Sequence, residues 1–175
     1  RSDRVSEWVE KGNRAVREAQ ATMNTMPLSD VRPVAAEALR AFEAALALAP
    51  DDVELHYKAF MTQQLVPKRM PLSVQSTLNH LDRMRQLAPR DPRDPTMTRL
   101  ITHILGRQIL YGTGADEQPL FQRIISEYER EFRYLNESEP DIRAGSGSMA
   151  SLFSSTHSNA AEIYMAVGDL KQAIW

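Results

Sequence analysis

Apolar residues recur along most of the chain at spacings of three and four, the period of a helix with one buried face. Sustained period-two alternation rich in Val, Ile and Thr is missing, so the pattern predicts an all-α chain. A first helix is expected from about Ser6 to Met23, with Trp8, Val9, Gly12, Ala15, Val16 and Ala19 on one face. A second is expected from about Pro33 to Leu48, with Pro33 suited to its first turn. Its stripe is broad: Ala35, Ala38, Leu39, Phe42, Ala45, Leu46 and Leu48. Pro50 ends that helix, and Asp51-Asp52 open a third over Val53 to Leu65. A fourth spans about Ser73 to Leu87, before a stiff turn from Pro89 to Pro95. A fifth covers Thr96 to Tyr111 and stops at Gly112 and Gly114. A sixth covers Gln118 to Asn136, and a seventh Ser151 to Val167. Beyond a Gly168-Asp169 turn an eighth begins at Leu170 and is cut at Trp175. The sum is about 7–8 helices in four helix–turn–helix pairs, the last incomplete.

The second member of each pair repeats a punctuation pattern. Ala38, Phe42, Ala45 and Pro50 are four, three and five residues apart, and so are Thr77, Leu81, Met84 and Pro89. Tyr128, Phe132, Leu135 and Pro140 repeat the spacing a third time. Four plus three residues is two helical turns, so each trio forms a row facing a neighbour, and the proline ends the helix. Trp8, Lys11, Gly12 and Ala15, followed by Ala38, Phe42, Ala45 and Pro50, resemble the tetratricopeptide repeat family. So do Ala161, Tyr164, Gly168, Asp169, Leu170, Ala173 and Ile174 near the other end. The middle departs from the family: Thr77, Met84, Tyr128 and Leu135 stand where small residues are the norm. The prolines are also 39 and 51 residues apart, not a regular repeat, and extra chain lies around Met26 to Pro33. The resemblance implies one domain over 1–175, a right-handed superhelical solenoid of antiparallel helix pairs with degenerate repeats.

The composition narrows the function classes. The chain is 42% hydrophobic and 25% charged with a net charge of −2, a globular balance without a strong steering field for nucleic acid. Zero cysteines exclude thiolate metal sites, a cysteine nucleophile and disulfides. No apolar run approaches the ~20 residues of a bilayer span. The chain begins at Arg1 without Met, so it is expected to be part of a longer product, and cytoplasmic and periplasmic locations both stay open.

Motifs that could carry chemistry read as structural. Gly145-Ser146-Gly147-Ser148-Met149-Ala150 fits a loose dinucleotide fingerprint, but the residues before it read as loop rather than strand. His56, His80, His103 and His157 never fall three or four apart, so no helical metal face forms, and His157 is expected in or near the core. Glu127 and Glu131 are one turn apart with Arg123 and Arg130 nearby, which reads as a solvated, charge-laced face. Lys68-Arg69 and Arg90, Arg93, Arg99 are modest basic clusters, diluted by Asp91 and Asp94. No catalytic residue, cofactor or metal is expected.

The resemblance implies a non-catalytic scaffold that binds a peptide or partner segment on a concave face lined by the first helix of each pair. The residues expected there are Val9, Asn13 and Arg17, then Tyr57, Met61 and Gln64, then Ser158, Glu162 and Met165. Asn13 stands out because an amide both donates to and accepts from a peptide backbone. The other readings are a regulatory or accessory module of a larger enzyme or transporter, and a small-ligand binder with a cavity between the middle pairs. The expected partner is another protein or a peptide segment, with no nucleic acid and no membrane insertion.

Overall fold

The computed structural model describes residues 2–23, 31–65, 73–111, 118–137 and 147–166. All regular structure among them is helical. The helices are α1 (Asp3–Met23), α2 (Val31–Leu48), α3 (Val53–Thr62), α4 (Val74–Leu87), α5 (Asp94–Tyr111), α6 (Gln118–Glu137) and α7 (Gly147–Ala166). Most bounds fall within a few residues of the sequence expectation. α3 is shorter, because its last turn tightens into a 3₁₀ segment, Gln63–Leu65. The segment from Leu170, the Gly168-Asp169 turn, Pro140, Gly145-Ser146 and Lys68-Arg69 lie outside the described residues.

Caps explain where helices start. The Asp52 carboxylate accepts from the Leu55 amide at 3.1 Å, and the Ser73 hydroxyl accepts from the Ser76 amide at 3.1 Å. α5 starts two residues earlier than expected, at Asp94 rather than Thr96. Pro95 is compatible with that start, since a first-turn residue needs no amide proton. Asp94 is buried and bound by α6: Tyr134 donates its hydroxyl proton to the carboxylate, and Arg130 donates at 3.3 Å. Burial comes first among the causes that push the Tyr134 phenol up, and the bond to Asp94 adds to it.

The chain divides into two compact units, Arg1–Asp91 and Pro92–Trp175. In the first, α2 packs on both α1 and α3, and α3 pairs with α4. The α1–α2–α3 core holds Val5, Ala15, Ala38, Leu39, Phe42, Ala45, Leu46, Leu55 and Ala59. Gly12 sets the spacing. A Cβ there would stand 2.6 Å from the Phe42 ring, which is 1% exposed, so the ring or the helix would have to shift. α3 and α4 run antiparallel, as three links at successive levels require. Asp51 pairs with Arg83, His56 meets His80, and Gln63 donates to Ser76. Thr77, Leu81 and Met84, the expected row on α4, are all fully buried.

In the second unit α6 is antiparallel to both neighbours. Asp94, Thr102 and Gly106 of α5 meet Tyr134, Glu131 and Ile124 of α6 in that reversed order. Along α7, Thr156, His157 and Tyr164 meet Glu131, Phe132 and Tyr128. Hence α5 and α7 run parallel, and Gly106 lies against Ile163 across their junction. Among the described residues no helix is long and apolar enough to cross a membrane.

Candidate functional site

Each unit has a groove between two helices that share α2 or α6 as a base. In the first unit, α1 supplies Asn13, Val16 and Gln20, and α3 supplies Glu54, Tyr57, Lys58 and Met61. The 3₁₀ turn adds Leu65, and Phe42 of α2 forms part of the floor of a cavity of about 270 Å³. Lys58 is fixed in place: its ammonium donates to the Asn13 side-chain oxygen at 3.1 Å and lies 5.9 Å from the Phe42 ring centroid. The wall therefore carries an oriented cation, an amide, a phenol and a thioether around an aromatic base.

Three of the expected binding residues, Asn13, Tyr57 and Met61, line this groove. Val9 does not, and the expectation for it is corrected: it is 9% exposed and belongs to the α1–α2 core. Its burial agrees with its place on the apolar face of α1, beside Gly12 and Ala15. Arg17 is exposed and pairs with Glu10 at 3.1 Å rather than lining the groove. Gln64 does not line it either, and its buried Nε2 has no hydrogen-bond partner. Lys58, Gln20 and Glu54 were missed. Their signal was the helical spacing itself, since Glu54, Lys58 and Met61 are four and three apart and Gln20 lies two turns beyond Asn13.

In the second unit two adjoining cavities of about 310 and 270 Å³ share Thr102, His103, Tyr128 and Asn159 between α5 and α7. Glu162 lines the larger and is exposed. Ser158 and Met165 are exposed but line neither. Tyr128 was expected to match Ala38 in the repeated row. It lines the groove from the base helix, as Phe42 does in the first unit, and is buried together with Leu135 of the same row. Phe132 turns to His157, with ring centroids 4.7 Å apart, and His157 is half-buried as expected.

Glu127 and Glu131 overturn the reading of a solvated face: they are 2% and 5% exposed. Arg123 donates to Glu127 at 2.8 Å. The two Glu131 oxygens accept from the hydroxyls of Thr102 at 2.9 Å and Thr156 at 3.0 Å. Sequence spacing could not show that α5 and α7 close over this face of α6. Burial pushes the Tyr128 phenol above its ordinary range, and Glu131, Tyr164 and Glu162 add to the effect.

His56 and His80 also come together, with their Nδ1 atoms 3.1 Å apart and 24 residues between them in sequence. His56 Nε2 must donate to the Pro50 carbonyl, 2.8 Å away, because a carbonyl only accepts. A single proton then fits between the two Nδ1 atoms. Burial, and secondly His56, lower His80 from 6.5 to about 4. Among the described residues no group of three or more His, Cys, Asp or Glu is placed to hold a metal ion. Comparison with known sequence families, with curated proteins and with solved structures finds no match.

Proposed function

We propose that the chain is a non-catalytic scaffold of degenerate tetratricopeptide type, a helical solenoid that holds a peptide segment of another protein. The observation that carries this reading is the α1–α3 groove. It offers an aromatic floor, the fixed Lys58 ammonium and the Asn13 amide along one open channel. Apolar pockets with a few oriented polar groups are what an extended or helical peptide needs for register and affinity.

The test uses peptides selected by display against the whole chain and then titrated by fluorescence anisotropy. Tyr57→Ala and Asn13→Ala are expected to weaken binding about tenfold with the melting temperature unchanged. Wild-type affinity in both variants would remove the groove from the binding surface.

A further inference from the structure

Three buried carboxylates occur among the described residues: Asp94, Glu127 and Glu131. Two of them have an arginine, Arg130 for Asp94 and Arg123 for Glu127. Glu131 has no arginine in direct contact; its partners are the hydroxyls of Thr102 and Thr156, and the exposed Arg99 lines the same cavity. A buried carboxylate is costly unless a positive group shares the site. Two hydroxyls orient it and leave each oxygen with a further lone pair. Tyr128 and Asn159, whose side chains each carry a neutral acceptor, line the cavity beside it. Glu162 stands at the neighbouring mouth.

We propose that the α5–α7 groove binds an alkylammonium or guanidinium group, received by Glu131 beside Tyr128 and Asn159. The rest of the lining selects the ligand's shape. Leu100, Leu110 and Ile163 give an apolar path for a stem. The exposed Arg99 and Arg107 on α5 already set two positive charges against Glu131 and Glu162 in the lining, so the groove suits a single cation on an aliphatic stem better than a polyamine. A lysine or arginine side chain of a partner and a free monoamine share this chemistry. The site stands independently of the α1–α3 groove.

The test is an amide-resolved NMR titration of the whole chain with n-butylammonium, N-acetyl-lysine amide and the uncharged N-acetyl-norleucine amide. Both cations are expected to shift amides of α5 and α7 with millimolar affinity, and the norleucine compound to leave them in place. Glu131→Gln should weaken the cations at least about tenfold, while Arg99→Ala should leave binding unchanged or tighten it. Tighter binding of the lysine compound than of butylammonium assigns the site to a peptide side chain, and the reverse assigns it to a free amine. If Glu131→Gln does not fold, Glu162→Gln at the exposed mouth should weaken the cations about twofold, and added salt should weaken them further. No shift with either cation at about 20 mM overturns the proposal. So does equal binding of norleucine, or wild-type affinity in a folded Glu131→Gln chain.

Discussion

Gly12 and Phe42 meet so closely that one methyl group decides the α1–α2 spacing. Gly12→Ala is expected to destabilise the first unit by about 1–3 kcal/mol, because the added methyl forces the packed Phe42 ring or the α1 backbone to shift. A urea midpoint that falls at unchanged slope would show this, and an unchanged midpoint would mean the two helices part easily. His80 gives a second prediction. Above pH 6.5 its ring is neutral in folded and unfolded chains alike, and its contribution is complete. Between 6.5 and about 4 the unfolded chain takes up a proton that the folded one refuses, so stability declines as pH falls, with no further loss below. The gap of roughly 2.5 pH units corresponds to about 3 kcal/mol. Urea midpoints at successive pH values from 7 down to about 4 measure it. The decline should flatten in His80→Gln, and a decline of undiminished slope there would assign the effect to other groups.

Helix starts, stops and buried faces were largely readable from apolar spacing and from Pro50, Asp52 and Ser73, because caps and periodicity are local. What was not readable came from helices meeting at a distance. Glu127 and Glu131 look like surface residues until α5 and α7 cover them, and His56 looks solitary until α4 folds back. Tyr128 and Leu135 of the row on α6 are buried as their spacing suggests, but that Tyr128 lines the groove shows only once α5 and α7 flank it. The candidate site was half legible: Asn13, Tyr57 and Met61 from the face of each helix, and Lys58 by its spacing from Met61, though its bond to Asn13 shows only once α1 lies beside α3. Asp94 carries the prediction at this scale. It joins the start of α5 to α6 through Arg130 and Tyr134. Asp94→Asn is expected to cost about 1–3 kcal/mol, seen as a lower melting temperature. An unshifted melting temperature would make these bonds dispensable.

The two compact units each contain their own buried core and their own groove. Residues 1–91 expressed alone are expected to unfold in one cooperative transition that keeps the acid sensitivity of His80. A broad, non-cooperative melt would show that this unit leans on the rest of the chain. Within the second unit, both walls of the groove, α5 and α7, run in the same direction. Their peptide dipoles therefore point the same way along the channel, only partly opposed by the antiparallel α6 at its base, and give its two ends opposite partial charge. An aliphatic cation lying in it meets a directional field and has one favoured heading, its charged end and its stem being no longer interchangeable.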